Sequence, residues 1–212
     1  MAMSPRREKK IKEVAQRRQP NLTVIMENVH DFHNMGAVMR SADSVGVKEI
    51  FTVVTNPKIK ITKVKLGKRT SAGTRRWLDV WAFTTVEECV KAVRSRYDKL
   101  YATHLSSDAV SLYDLDLSAS VALVFGNEKD GVSAELLAHC DGNFLIPQVG
   151  MAQSLNISVA AGVTLYEAYR QRQVKGMYTE NLPQTEAQQE AVFQDFISRT
   201  VPQYDMRFAK QG

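Results

Sequence analysis

The stretch from Ile146 to Arg172 reads IPQVGMAQSLNISVAAGVTLYEAYRQR. A proline and a glycine bracket a short loop, and Ser154-Leu155-Asn156 then opens a long helix predicted over Ser154–Lys175. The free backbone groups of such a loop and the N-terminus of such a helix can hold a polar ligand without a glycine-rich phosphate loop. The helix is apolar on most sides, which predicts burial in a core or at a dimer interface.

Outside this stretch, predicted strands and helices alternate along the chain. The strands are predicted at Leu22–Glu27, Glu49–Val54, Leu78–Phe83, Leu100–His104, Val121–Phe125 and Phe144–Ile146. The other helices are predicted at 6–18, Asn34–Val45, Thr85–Tyr97, Ser133–His139 and Thr185–Arg199. This alternation predicts an α/β fold with a mostly parallel sheet. Ligands bind such sheets at the carboxyl ends of the strands, so the loops after Phe125 and Ile146 are the first candidates.

Composition excludes several classes of protein. The chain has 212 residues, 44% of them hydrophobic, which predicts one domain with a real core and some appendages. No apolar run approaches the roughly 20 residues of a membrane span, and the charged N-terminus does not resemble a signal peptide. Cys89 and Cys140 are the only cysteines, which favours a reducing cytoplasm. The four histidines lack metal-ligand spacing, so we expect no metal, and there is no GxGxxG, Walker or GxSxG motif.

The net charge is +5, and its placement matters more than its size. Seven basic residues occupy the first eighteen positions: Arg6, Arg7, Lys9, Lys10, Lys12, Arg17 and Arg18. Eight more, and no acid, lie between residues 58 and 76. Either run alone is equally well explained as a solvated face. Two such runs in one small domain favour a polyanionic partner, and nucleic acid is the natural one.

Three segments carry residues suited to a site. In DFHNMGAVMR, residues 31–40, Asn34 is expected to cap a helix, and Arg40 projects from a different face of it. An ordinary capped helix with one exposed arginine is the favoured interpretation of these residues alone. In LVFGNEKDG, residues 123–131, Gly126 permits close backbone approach, and Glu128 is either a ligand-facing acid or a surface residue.

In the third segment, Ser154 is the expected N-cap of the long helix. Asn156 and Ser158 interrupt an otherwise apolar pattern, as residues of functional sites often do. Arg170 and Arg172 are expected at its exposed end.

Together, the segments 31–40, 123–131 and 146–172 resemble the three motifs of the SPOUT RNA 2′-O-methyltransferases, and most closely the TrmH-type tRNA branch. The resemblance covers roughly residues 13 to 180, with the three motifs in order. It implies the SPOUT fold, a parallel sheet with helices on both faces and a deep trefoil knot in the C-terminal part. It also implies a homodimer with each active site at the interface, and S-adenosylmethionine as the cofactor.

The resemblance assigns roles by position. It implies that the cofactor is held at Thr103, Gly126, Ile146, Met151 and Leu155. The residues matching the catalytic motifs are Arg40, Asn34, Glu128, Ser154 and Asn156. Arg40 matches the arginine that activates the ribose hydroxyl, as a base or by orienting the ribose and stabilising the alkoxide. The predicted RNA contacts are Arg6, Arg7, Lys9, Lys10, Arg17, Arg18, Arg170 and Arg172.

The predicted organisation is a basic N-terminal helix over 1–20, a methyltransferase domain over 21–176 and a helical extension over 177–212. The implied activity is methylation of a tRNA ribose, with the guanosine at position 18 of the D-loop as the expected target. A relative acting on ribosomal RNA or on the tRNA wobble ribose is the alternative enzyme. A non-catalytic RNA-binding knot protein is the alternative of another class.

Overall fold

The structure is a computed structural model that describes residues 3–56, 74–127, 129–152 and 154–200, without the side chain of Arg75. Its helices are α1 (Pro5–Gln16), α2 (Phe32–Ser44), α3 (Val86–Arg94), α4 (Ala134–Leu137), α5 (Ile157–Val174) and α6 (Glu186–Ser198). Its strands are β1 (Leu22–Glu27), β2 (Glu49–Val53), β3 (Asp79–Phe83), β4 (Lys99–Thr103), β5 (Val110–Ser111), β6 (Val121–Phe125) and β7 (Gly142–Leu145).

The seven strands of the described residues form one sheet in the order β3-β2-β1-β6-β4-β7-β5. Every pairing in it is parallel, with Val24 opposite Leu123 at the centre. Strands β1 and β6 are buried along their whole length, as their unbroken apolar sequences predict. The predicted parallel α/β fold is therefore confirmed.

Helices cover both faces of the sheet. On one face, α2 and α5 pack on a core that includes Met35, Val38, Ala161 and Leu165. On the other face, α3 and α4 pack on a second core. Consecutive residues of β1 alternate between the two, as the pleat of a strand requires.

The helices nearest the two ends of the chain pack against each other. Ile11 and Ala15 of α1 contact Val192 and Phe196 of α6 in a separate apolar cluster. Trp77 joins them, with its ring 5.3 Å from that of Phe196. Through this cluster, the basic helix α1 and helix α6 contact the segment that leads into β3.

Two predicted helix caps are wrong. Asp31, rather than Asn34, caps α2, because its carboxylate accepts a hydrogen bond from the His33 N–H at 2.8 Å. Asn156, rather than Ser154, caps α5, and its Oδ1 accepts from the Ser158 N–H at 2.8 Å. Asparagine is a favoured N-cap residue, and Asn156 stands directly before the first residue of α5. It therefore does not interrupt the helix interior as the sequence pattern had suggested.

Most element boundaries shift by only one to three residues from the prediction. Strand β5 was not predicted, because two residues carry no periodic pattern. Most of the second basic run, residues 57–73, lies outside the described residues. Among the residues that are described, no helix is both long and apolar enough to cross a bilayer.

Candidate active site

A cavity of about 400 Å³ opens at the carboxyl ends of β4, β6 and β7. Its apolar wall includes Phe125, Phe144 and Ile157, and the two phenylalanine rings meet edge to face at 6.4 Å. The loop after β6 and the loop before α5 supply the polar rim. A cavity of this size and mixed character suits a small-molecule ligand with an apolar part.

The loop after β6 is held by hydrogen bonds within the loop and by one close backbone contact. Asn127 Oδ1 accepts hydrogen bonds from the backbone N–H groups of Lys129 and Asp130 at 2.9 and 2.8 Å. The Gly131 N–H donates to the Asn127 carbonyl at 3.0 Å. A Cβ on Gly126 would lie 1.9 Å from the Gly131 carbonyl carbon, so only glycine allows this contact. These contacts hold Asn127 and residues 129–131 beside the cavity.

A buried carboxylate anchors the far end of this loop. Glu27, at the end of β1, is 1% exposed and accepts from both the N–H and the hydroxyl of Ser133, at 2.7 and 2.5 Å. Ser133 in turn caps α4 by accepting from the Leu136 N–H. Glu27 was not predicted to matter, although an acid closing the buried run LTVIME was the available signal.

The structure brings together residues from two of the three motifs. The Asn156 amide donates to Asn34 Oδ1 at 3.1 Å, which joins the first turn of α2 to the cap of α5. Ser154 is exposed and lines the cavity. Glu128, predicted to be catalytic, lies outside the described residues.

Arg40 is not among the residues that line the cavity. It is exposed on α2, six residues beyond Asn34, which is about 9 Å along the helix axis and on a different face. Within one chain, the predicted catalytic arginine and the cavity are therefore apart.

Four of the five residues predicted to hold the cofactor line the cavity: Thr103, Gly126, Ile146 and Leu155. The fifth, Met151, is outside the lining and 99% exposed. The Thr103 hydroxyl donates to the Val124 carbonyl at 3.2 Å and so links the ends of β4 and β6. Among the described residues, no group of three or more His, Cys, Asp or Glu side chains is arranged to hold a metal ion.

The predicted RNA contacts fall into two groups. The exposed group comprises Arg6, Arg7, Lys9, Lys10, Arg17 and Arg170. Arg170 is held by Glu167, which accepts from its Nε and NH2 at 2.9 and 2.8 Å. Arg18 and Arg172 are both 0% exposed, so the prediction that they contact RNA is wrong.

Arg172 can be buried because all five of its N–H donors have acceptors inside the protein. It donates to the carbonyls of Leu117, Asn21 and Ala119 and to the side chains of Gln19 and Asn21, at 2.6–3.1 Å. Burial lowers the pKa of this guanidinium to about 10, which still leaves it charged at neutral pH. The side chain joins the end of α5 to the starts of β1 and β6.

Arg18 has an equivalent role at the neighbouring strands. It donates to the Val47 carbonyl at 2.7 Å and forms an ion pair with Asp43 at 2.5 Å. Burial lowers the pKa of Arg18, and the nearby Asp43 carboxylate opposes that shift. The two arginines were indistinguishable from surface cations in the sequence, because their acceptors lie up to 153 positions away.

Comparison with known proteins gives a consistent result. The model of the SpoU rRNA Methylase family matches residues 21–166. The tRNA (guanosine(18)-2'-O)-methyltransferase of Escherichia coli (strain K12) is 40% identical over 189 residues, which are 89% of this chain and 80% of that protein. The protein of the same name from Thermus thermophilus is 44% identical over 172 residues, 81% of this chain and 86% of that one.

Solved structures are similar as well. The A. aeolicus TrmH/SpoU tRNA modifying enzyme superposes with a TM-score of 0.80 at 33% identity, covering 92% of this chain and 97% of that one. The SpoU methyltransferase AviRb from Streptomyces viridochromogenes, solved in complex with AdoMet, gives a TM-score of 0.62 at 28% identity. That match covers 72% of this chain and 60% of the other.

Proposed function

Because the chain belongs to the SpoU rRNA methylase family, we propose that it methylates a ribose 2′-hydroxyl of tRNA, using S-adenosylmethionine. The target is the guanosine at position 18 of the D-loop. The observation that carries this proposal is the 40–44% identity to two tRNA (guanosine(18)-2'-O)-methyltransferases over at least 80% of this chain and of theirs.

The cofactor occupies the cavity at the strand ends. Its apolar wall suits the adenine ring, and the backbone groups beside Gly126, Ile146 and Leu155 suit the polar parts of the cofactor. Thr103 closes the side of the cavity near β4. When bound, the cofactor supplies a methyl group activated by a sulfonium. Met151 is exposed and outside the lining, and its part in binding is to cover the bound molecule.

Arg40 acts on the ribose. With the cofactor bound, its methyl group would pass to the 2′-oxygen, its sulfur would keep the electrons of the broken carbon–sulfur bond, and the hydroxyl proton would go to water or to Arg40. Arg40 orients the ribose and stabilises the negative charge that develops on this oxygen, or takes the proton itself once its guanidinium has been deprotonated in the complex with RNA. Asn34, Asn156 and Ser154 position the two helices and the loop around the reacting groups, and Glu128 contributes from the loop after β6.

Two copies of the chain form each active site. Support comes from the separation of Arg40 from the cavity within one chain and from the apolar side chains that α5 leaves exposed. Val159, Tyr166 and Val174 are 49%, 54% and 77% exposed. In a homodimer built on this face, Arg40 of one copy reaches the cavity of the other. We also propose the deep trefoil knot that the resemblance to the family implies.

The tRNA lies along the exposed basic face of α1. Arg6, Arg7, Lys9, Lys10 and Arg17 contact its phosphates, and Arg170, near the end of α5, adds a further contact. The division at residues 20 and 176 separates the basic helix and the C-terminal extension from the methyltransferase domain. We also propose a cytoplasmic location, which the tRNA substrate and the free thiols of Cys89 and Cys140 support.

The decisive experiment maps the methylated nucleotide on tRNA and ribosomal RNA incubated with the purified protein and S-adenosylmethionine. We expect one product, at guanosine 18 of tRNA, and none on a tRNA that carries a 2′-deoxyguanosine there. Methylation of ribosomal RNA or of the wobble ribose instead would make the alternative enzyme correct.

A variant tests the role of Arg40. Arg40→Ala is expected to keep tRNA binding within about threefold and to lower the rate of methyl transfer at least about 100-fold. Full activity of this variant would remove Arg40 from the mechanism. Tight tRNA binding by the wild-type protein with no methylation of any RNA would favour the non-catalytic alternative.

A further inference from the structure

A second cavity, of about 420 Å³, lies between the basic helix α1 and the end of α2, and we refer to it as the tyrosine cleft. One wall is formed by Lys10 and Glu13 of α1 and by Arg17 directly after it, spaced three to four residues apart. The opposite wall includes Tyr169 of α5 and Tyr178. The cleft is distinct from the cofactor cavity, since the two share no lining residue.

The aromatic wall of the cleft is rigid. The Tyr178 hydroxyl donates to the Val45 carbonyl at 2.7 Å, and burial raises the pKa of Tyr178 well above its ordinary value, so the hydroxyl stays protonated. The ring of Tyr169 lies 4.9 Å from that of Tyr178. Tyr169 is only partly buried, so it presents an aromatic surface that is already held in place.

The charge of the cleft favours an anion. Asp43 lines the cleft but is neutralised by its ion pair with Arg18. This leaves two cations, Lys10 and Arg17, against one acid, Glu13. A rigid aromatic surface beside cations is the arrangement with which proteins bind single-stranded RNA, because the base stacks and the phosphate is neutralised.

The cleft also lies close to the catalytic helix face. Ser44, which lines it, is four residues beyond Arg40 and therefore one turn away on the same face of α2. An RNA strand whose ribose is at Arg40 would need only a short path to reach the cleft.

We propose that the tyrosine cleft binds one unstacked nucleotide of the tRNA substrate, with its base on Tyr169 and its phosphate beside Lys10 and Arg17. This rests on the proposed function in one respect, that tRNA is the substrate. The cleft would then recognise an RNA in which a nucleotide near the methylation site is free to leave its stack.

The test is equilibrium binding of a tRNA transcript at one fixed salt concentration, together with the KM values for tRNA and for the cofactor. Lys10→Gln is expected to weaken tRNA binding about fivefold, since it removes a phosphate contact. Lys9→Gln removes the same charge from a neighbouring residue of α1 that also contacts phosphate in the proposed function, but Lys9 does not line the cleft, and we expect at most about a twofold loss. Equal losses in the two variants would overturn the proposal.

A change of opposite sign sharpens the test. Glu13→Gln removes the one acid that repels the phosphate, so it is expected to tighten tRNA binding about two- to threefold. A role in folding alone does not predict tighter binding. Tyr169→Leu is expected to weaken binding about tenfold, while Tyr169→Phe keeps the ring and stays within about twofold of wild type. The KM for the cofactor is expected to be unchanged in all five variants.

The outcomes separate the cleft from the proposed function. Methylation by the wild-type protein with unchanged tRNA affinity in the Lys10 and Glu13 variants would refute the cleft and leave the function standing. Tight tRNA binding without methylation would refute the function, while the Lys10 and Lys9 comparison still tests the cleft. If Tyr169→Leu instead changes the sedimentation of the protein, the cleft is an interface between copies and the proposal is wrong.

Discussion

The two ends of the parallel sheet are stabilised by different kinds of contact. At the carboxyl end, around the cofactor cavity, small residues and backbone hydrogen bonds set the shape, as at Gly126, Asn127 and Gly131. At the amino end, four arginines bind the carbonyl groups that precede six of the seven described strands. Arg172 serves β1 and β6, Arg18 serves β2, Arg199 serves β3, and Arg94 serves β4 and β7.

This difference explains why long cationic side chains are used at one end and short residues at the other. A guanidinium has five donors and no acceptor, so it can satisfy several carbonyls from neighbouring segments at once. The carboxyl end must leave polar groups available for a ligand, and short residues with local turns achieve that. The amino end therefore acts as the structural end of the sheet, and the carboxyl end as the functional one.

The largest effect is expected from breaking the amino end. Arg172→Leu leaves three carbonyls and two side-chain amides without their donor, and should lower the free energy of unfolding by about 3–5 kcal/mol. Urea denaturation measures this. Arg170→Leu, two residues away on the same helix but exposed, is the control and should lose far less. Similar losses in both variants would refute the structural role of Arg172.

A smaller effect, confined to the carboxyl end, is expected from Gly126→Ala. The new Cβ would overlap the backbone of Gly131, so the loop must move, at a cost of about 1–3 kcal/mol. Calorimetric titration should show S-adenosylmethionine affinity reduced at least about tenfold. Gly150→Ala meets nothing within 4 Å and should bind the cofactor like wild type. Normal affinity in Gly126→Ala would show that the loop shape is unimportant.

The proposed RNA-binding surface of α1 can be tested without disturbing either end of the sheet. Deleting residues 1–18 would also remove Arg18, which is buried, so the exposed charges should be neutralised instead. Changing Arg6, Arg7, Lys9 and Lys10 together to glutamine should reduce the slope of log affinity for tRNA against log salt concentration by about 3. The unfolding midpoint should stay near that of wild type. An unchanged slope would show that α1 does not contact phosphates.

The smallest effect concerns pH. The hydrogen bonds from Arg170 hold the pKa of Glu167 below its ordinary value, against the effect of burial. A carboxyl with a lowered pKa in the folded state stabilises the fold above its unfolded pKa of about 4.3, and this contribution is lost as pH falls through the folded value. Between pH 5 and the folded pKa, wild type should therefore lose slightly more stability than Glu167→Gln in thermal unfolding. Parallel curves would contradict the shift.

The sequence predicted the centre of the fold better than its connections. The runs LTVIME and VALVF gave β1 and β6 residue for residue, because an unbroken apolar run must be buried on both faces. The caps of α2 and α5 were wrong, since Asp31 and Asn34, or Ser154 and Asn156, are all acceptable caps by composition. The choice depends on the tertiary contact between Asn34 and Asn156.

The candidate site was predicted unevenly for the same reason. Residues at strand ends, such as Thr103 and Gly126, fall at the cavity because parallel strands end together. The roles of Glu27, Arg18 and Arg172 depend on partners that are distant in the sequence, and no local pattern predicts them. In the sequence, an arginine that faces solvent at the end of a helix cannot be distinguished from one that donates to five internal acceptors.

The hydrogen bonds that hold Asn127 and residues 129–131 after β6 also affect the entropy cost of binding a ligand. Ordering a backbone residue costs roughly 1–2 kcal/mol, so holding Asn127 and residues 129–131 in place represents about 4–8 kcal/mol of conformational entropy. Because the loop's own hydrogen bonds and the contact of Gly126 with Gly131 hold it, this entropy is lost when the chain folds and not when the cofactor arrives. Cofactor exchange between successive turnovers therefore needs no refolding of this wall of the cavity.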